Sequence, residues 1–377
     1  MKKAAILLSA VILITTASCG GKSESSQPAD GSAVTGHMEL EYADQFSVSY
    51  LEDGCSVIDI GSDSYLLVPE GVQEQDTGKY TAVIHQPVEN IYLASSSAMD
   101  PFCAIGGLGS VALTSTDERS WSIPEAAKAI EDGSITYIGK YSTPDYEALV
   151  ESDCGLAIEN TMIYHSPETR EKIEQLGVPV LVERSSYESH PLGRMEWVKL
   201  YGLLSGRYEE AESFFSEKNA AFEAVKSQYI PDGERKTVAF FYLSSSGSVV
   251  IRKPGDYVSK MIELAGGEYV FTSEELGVED EDLSTMNIQT ETFYSLARDA
   301  DILIYNCSID GIPDSVSQLT GRCGVLEDFK AVKEGRVYCT ERNMFQQITG
   351  AADMMIDINR VIREEDENSM TYLHRLS

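Results

Sequence analysis

The sequence predicts an α/β fold. Two Rossmann-like lobes with mostly parallel sheets are joined by a single long α-helix and preceded by an N-terminal β-hairpin region. Three observations carry that expectation. From Asn90 onward, short apolar runs alternate with helical stretches, as βαβ units do. The rhythm stops over Leu192 to about Gln228, where two helical stretches follow one another. It restarts after Pro231-Asp232-Gly233. A chain of 377 residues, 42% hydrophobic and 24% charged, has material for two such cores.

In chain order, Gln45 to Pro69 alternates apolar and polar residues around Glu52-Asp53-Gly54, a hairpin signal. A further β run spans Tyr80 to Ile84. NIYLAS, SVALTS, ITYIG, GLAIE and VPVLVE then read as strands. Helices fall between them, at Ile123 to Glu131 behind Ser122 and Pro124, Asp145 to Glu151, and Pro167 to Leu176. Leu192 to Leu204 is a helix ended near Gly206. Arg207 to about Gln228 is the long connector, roughly 33 Å at 1.5 Å per residue. In the second half TVAFFYL, DILIYN and RVYCT are strands. Asp256 to Ala265, Thr292 to Arg298, the FKAVKEG segment and Gly350 to Arg363 are helical.

The amino terminus reads as a secretory signal. Lys2 and Lys3 precede an apolar run, Ala4 to Ile14, and small residues lead to Cys19. These small residues resemble a bacterial lipobox, with Thr16 in place of the usual leucine. The resemblance implies cleavage before Cys19 and lipidation of its thiol. Gly20 to about Gly36 is too small and polar to fold and reads as a tether. The expected division is a signal peptide over 1–18, a lipidated tether over 19–38, a first lobe with its hairpin over 39–206, a connecting helix over 207–230 and a second lobe over 231–377.

The formal net charge is −32, from 61 acidic and 29 basic residues. That balance argues against nucleic acid and anionic lipid as partners. Six cysteines remain after Cys19: Cys55, Cys103, Cys154, Cys307, Cys323 and Cys339. They form no C-x-x-C, and spacing alone selects no pairing. They read first as small buried hydrophobes.

This order of motifs resembles the binding proteins of ABC importers for iron–siderophore, haem and corrinoid ligands. The resemblance rests on YSTPDYEALVESDCGLAIE, KIEQLGVPVLVE, LYGLLSGRYEEAESF, MIELAGGEYVF and AVKEGRVY, over about Asn90 to Ile362. It implies a lipid-anchored, extracytoplasmic monomer, not an enzyme. Such a protein takes a small metal chelate in an inter-lobe cleft and passes it to an ABC permease and its ATPase. The ligand would carry its own iron or cobalt, so no resident cofactor or protein-held metal is expected. It also implies one acidic docking residue per lobe, matched here by Glu168 (with Glu171 close by) and Glu291.

Ligands of open parallel sheets sit beyond the carboxyl ends of the strands, so the loops there supply candidate binding residues. In the first lobe these are Met99, Phe102, Glu159, Met162, Tyr164, His165, Tyr187, Glu188, His190 and Arg194. The loop ERSSYESHPLGRMEW is the richest, because it packs aromatic, acidic, imidazole and guanidinium groups into a short non-periodic stretch. Arg194 suits a ligand carboxylate. Tyr187 and His190 suit stacking on a chelate or ligation of its metal. In the second lobe the candidates are Arg252 (beside Lys253), Tyr257, Asn306, Arg342, Met344 and Phe345.

GLGSVA, from Gly107 to Ala112, matches a dinucleotide fingerprint only on paper. It precedes a strand where the motif should follow one. A binding protein for bare Zn²⁺ or Mn²⁺ is the alternative reading. Five histidines, of which His37 and His374 lie near the ends, make a poor donor set for it. No nucleophile elbow, zincin motif or P-loop supports an enzyme.

Overall fold

The computed structural model describes residues 33–73, 77–228, 230–280, 284–308, 311–365 and 369–377. The signal segment and Cys19 lie outside these residues.

The N-terminal region is larger than a hairpin. Strands β1 (Val34–His37), β2 (Phe46–Leu51), β3 (Ser56–Ile60), β4 (Asp63–Val68) and β5 (Ala82–His85) form one sheet in that order. The tether expected over 19–38 therefore stops earlier. Val34–His37 is an edge strand whose backbone pairs with β2. Alternation gives the sheet two apolar faces. Val48, Ile58, Ile60, Tyr65, Leu67 and Ile84 join the first-lobe core. Leu51, Val57, Leu66 and Val68 form a small outer cluster.

The first-lobe sheet contains β6 (Ile91–Leu93), β7 (Val111–Thr114), β8 (Thr136–Tyr137), β9 (Ala157–Asn160) and β10 (Val180–Glu183). Its order is β10-β9-β6-β7-β8, with every pairing parallel. Both faces are covered, which is why these strands read as continuous apolar runs. Ile91, Leu93, Ile158 and Leu181 face one core, whereas Tyr92, Ala157, Val180 and Val182 face the other. Strand order reverses between β6 and β9, so the loops after these strands diverge to opposite sides and open a crevice.

The second lobe is built on β11 (Thr237–Leu243), β12 (Val249–Arg252), β13 (Glu268–Tyr269), β14 (Thr285–Ile288), β15 (Ile302–Tyr305), β16 (Val337–Thr340) and β17 (Leu373–Arg375). The order is β14-β12-β11-β15-β16-β17, with β13 also on β11. β11, β15 and β16 are parallel to one another; β12, β14 and β17 are antiparallel flanks.

Two helices lie between the lobes. Tyr208–Lys226 is the long connector, with Ala211, Phe215 and Phe222 on its buried face. The preceding helix, Pro191–Leu204, is buried almost all round. Leu192, Met195 and Val198 join the second-lobe core, while Trp197, Leu200, Tyr201 and Leu204 join the first. One helix thus serves two cores. The two helices touch closely at Gly202. A Cβ there would meet the Ala211 Cβ at 2.5 Å and the Arg207 carbonyl at 2.9 Å, so glycine sets their separation.

Candidate functional site

The lobes face each other across the carboxyl ends of their strands. Several polar contacts bridge them there. The Asp100 carboxylate, at the start of the Met99–Ala104 helix, accepts from the Thr349 backbone N–H at 2.8 Å and its hydroxyl at 2.6 Å. Gln346 donates to the Ser120 carbonyl at 2.8 Å and accepts from the Ser122 N–H at 2.7 Å. In the first lobe, Glu183 accepts from the Ser95 and Ser97 hydroxyls and so ties the loop after β6 to the end of β10.

Arg194 forms the floor between the lobes. It is 8% exposed, and its guanidinium lies over the Tyr257 ring at 4.0 Å. Arg252 reaches the same ring at 5.7 Å and the Phe345 ring at 4.8 Å. Asp256 pairs with Arg252 at 3.3 Å. Arg194 has no ion pair among the described residues, and its Nε finds no acceptor. The gap beside it, lined by Tyr257, Met344, Phe345 and Met354, is only about 10 Å³. A wider groove of about 610 Å³ opens alongside. Tyr187, Ser189 and His190 form one wall, Pro254, Gly255, Lys260 and Glu263 face them, and Asp44 with Gln45 edges the groove.

The expected cleft residues divide on geometry. Arg194, Arg252, Tyr257, Met344 and Phe345 come together at the floor. Tyr187, 42% exposed, stacks against Arg184 at 4.5 Å and donates from its hydroxyl to Thr161 at 3.5 Å. Met162, Tyr164 and His165 are exposed on the short turn Thr161–His165, which meets Tyr187 through Thr161, but none of the three lines the groove. Arg342 is exposed at the end of β16.

Six candidates do other work. Met99 and Phe102 are fully buried in the first-lobe core and offer a ligand no surface. Glu159 points beneath the sheet, fully buried. Neither carboxyl oxygen has a hydrogen-bond partner among the described residues, and burial pushes its pKa up to about 8. Asn306 is spent on its own turn, accepting from the N–H and hydroxyl of Ser308. His190 caps the Pro191–Leu204 helix, its Nδ1 accepting from the Leu192 N–H at 3.2 Å. It also stacks on Tyr42 at 4.5 Å, and burial lowers its pKa to about 4. It edges the groove as a neutral ring whose Nδ1 is already occupied.

Glu188 is turned inward. It accepts from the Asp44 and Gln45 N–H groups at 3.0 and 3.1 Å and from the Trp197 indole at 2.8 Å. Glu196, eight residues further on and inside the helix, does the same, taking the N–H groups of Glu41, Tyr42 and Ala43 at 2.8–3.1 Å. These two carboxylates strap the segment before β2 onto the central helix. They explain how Asp44 and Gln45 reach the groove, which nothing in their local pattern announced.

Burial raises the Asp100 carboxyl to about 6. A raised carboxyl is penalised when charged. The penalty is absent below the unfolded value near 4 and complete above about 6, on the order of 2–3 kcal/mol. Asp100→Asn keeps both acceptor contacts without the charge. The variant should gain stability over the parent between about pH 4 and pH 7, as followed by urea unfolding. An equal difference at both ends of that range would show that the Asp100 charge is not what strains the lobe contact.

A two-lobed α/β chain, with strand-end loops opposed across a groove and a helical spine behind, is the architecture of a solute-binding protein. The periplasmic binding protein family matches residues 104–343, and this chain belongs to that family. Its class is one of binding proteins and not of enzymes. A lipoprotein of Methanocaldococcus jannaschii is 26% identical over 310 residues, covering 79% of this chain and 70% of the relative. A second lipoprotein of that organism is 25% identical, with coverage of 93% and 90%. Among solved structures, a periplasmic binding protein from Veillonella parvula superposes with a TM-score of 0.58 at 16% identity, covering 83% of this chain and 96% of its own. The haem-binding protein HutB of Vibrio cholerae gives 0.57 at 12% identity, covering 71% and 98%. A Fe³⁺-hydroxamate transport protein from Saccharomonospora viridis gives 0.54 at 20%, covering 73% and 93%. The N-terminal sheet lies wholly before the family match. Among the described residues, no helix is long and apolar enough to cross a membrane.

Proposed function

We propose that this chain captures a metal chelate, a ferric siderophore, haem or corrinoid, between its lobes and delivers it to an ABC permease. One observation carries the reading. In a chain of net charge −32, a nearly buried arginine sits between the lobes without a carboxylate partner among the described residues. Leaving such a charge unpaired is costly. A ligand carboxylate, catecholate or phosphate would supply the missing partner in bidentate geometry. Tyr187 on the groove wall offers the aromatic surface that a planar or bulky chelate needs. Iron or cobalt would arrive with the ligand, as cargo.

The alternative is capture of free Zn²⁺ or Mn²⁺. The described residues hold no group of three or more His, Cys, Asp or Glu side chains arranged for a metal ion. His190 is committed to its helix cap. The chelate reading is therefore the better supported.

The test is titration of the purified chain with a ferric hydroxamate, haem and cyanocobalamin, reading tryptophan emission and melting temperature. Trp121 lies next to the Ser120–Ser122 bridge to Gln346, so its emission should report lobe adjustment. A ligand at about 100 times its Kd should add roughly 2.7 kcal/mol. A response to Zn²⁺ alone would transfer the assignment to the free-ion class.

Export and anchoring through Cys19 belong to the same proposal, as do the docking residues. Glu168 and Glu291 are both exposed in the first turn of a helix, Pro167–Gln175 and Thr290–Ala297 respectively. The double variant Glu168→Arg/Glu291→Arg should bind ligand as the parent does and lose roughly tenfold or more in uptake by cells, since like charges now meet across the docking surface. Undiminished uptake would remove both residues from that role.

A further inference from the structure

Cys307 and Cys339 meet at the carboxyl ends of β15 and β16. The register pairs Tyr305 with Cys339, so the chain leaving β15 turns over the end of β16. Cys307 N–H donates to the Thr340 hydroxyl at 3.2 Å. Both thiols converge on one oxygen, the Thr340 carbonyl, at 2.9 Å from the Cys307 Sγ and 3.5 Å from the Cys339 Sγ. The two sulfurs are also within hydrogen-bond reach of each other, and that contact favours the Cys307 thiolate, lowering its pKa to about 7. Cys55, Cys103 and Cys154 belong to three other apolar clusters, and burial raises the Cys103 and Cys154 thiols.

We propose that Cys307 and Cys339 are a disulfide-forming pair, oxidised by a small or protein disulfide outside the cytoplasm. The Cys307 thiolate attacks one sulfur of the oxidant and expels its partner sulfur as a thiolate. The Cys339 thiolate then attacks the Cys307 sulfur and releases the second oxidant sulfur. Two electrons and the two thiol protons pass to the oxidant, which leaves as two thiols. A thiol whose pKa lies near ambient pH suits the attacking position.

The bond would act on the groove. Gly311, whose N–H donates to the Cys307 carbonyl at 2.9 Å, lies close to Arg342. Arg342, Met344 and Phe345 follow Cys339 directly. Closing the pair would tie the loop after β15 to the strand end that presents those residues, stiffening the second-lobe wall.

The full chain should be treated with glutathione disulfide at about pH 8, both in the native state and during refolding from the reduced, unfolded state. It is then alkylated under denaturing conditions and mapped by peptide mass spectrometry. The expected result is a Cys307–Cys339 linked peptide and an intact mass lower by about 2 Da. Cys307→Ser should yield no linked peptide and leave Cys339 alkylated. The oxidised chain should also lose roughly 5 °C of melting temperature on adding dithiothreitol, a readout that does not depend on the variant folding. Recovery of both cysteines as alkylated thiols from both treatments, or of Cys307 joined to any other cysteine, would overturn the assignment.

Discussion

Replacing Glu196 by alanine should destabilise the chain by about 3–5 kcal/mol, the range for breaking a buried, hydrogen-bonded charge pair. Its carboxylate is fully buried and accepts the backbone N–H groups of Glu41, Tyr42 and Ala43. It also pairs with the buried Lys199 at 3.0 Å. Removing it orphans three donors in a half-buried segment, at roughly 1–3 kcal/mol for each that neither water nor protein then satisfies. Lys199 keeps Glu212 and the Glu39 carbonyl, which limits the loss. Glu196→Gln retains an acceptor and should cost less than half as much. Urea unfolding of parent and both variants measures this. A change below about 1 kcal/mol for the alanine variant would mean that the strap before β2 contributes little to holding the lobe together. With the strap released, Tyr42 would also lose its stack on His190, and the groove edge at Asp44 and Gln45 should loosen.

Arg194→Ala should weaken binding of an anionic chelate about 30- to 100-fold, the equivalent of 2–3 kcal/mol for a charge-assisted pair. Its effect on the ligand-free chain should have the opposite character. The variant gives up one stack on Tyr257, worth about 1 kcal/mol, and relieves a nearly buried charge that has no anionic partner among the described residues. Its melting temperature should therefore be unchanged or higher. A residue that costs stability and confers affinity shows this split. Arg194→Lys keeps the charge without the planar fork, so its affinity should fall between those of the parent and the alanine variant. Isothermal titration with the ligand found by screening gives the numbers. If affinity survives Arg194→Ala, the floor of the cleft is not the anion site, and the reading built on it fails.

Much of the lobe architecture was legible because buried parallel strands must be apolar on both faces. NIYLAS, GLAIE, VPVLVE, TVAFFYL and DILIYN could hardly be anything else, and the helices between them carry their own start and stop residues. The flanking strands β12, β14 and β17 were harder to read. Met286 and Asn287 face partners that only the folded sheet supplies, and short edge strands carry little alternation. The site was half legible. Arg194, Tyr257 and Phe345, chosen by position after a strand, line one gap between the lobes. Position could not tell which way a side chain turns. Glu188 and Tyr187 are adjacent in sequence, yet one is sealed against Trp197 and the other is open at the mouth.

What the sequence determined by itself was local and periodic: apolar strands, capped helices, an acidic surface and two rounds of the same rhythm. Each follows from the chemistry of neighbouring residues. Only the tertiary structure decided which polar groups meet. Asp100 and Thr349 are 249 positions apart, and Glu196 finds its backbone donors more than 150 positions upstream. Such pairings depend on how two lobes settle around one helix. A buried carboxylate binds whichever donors packing brings within 3 Å, and no local pattern records that choice.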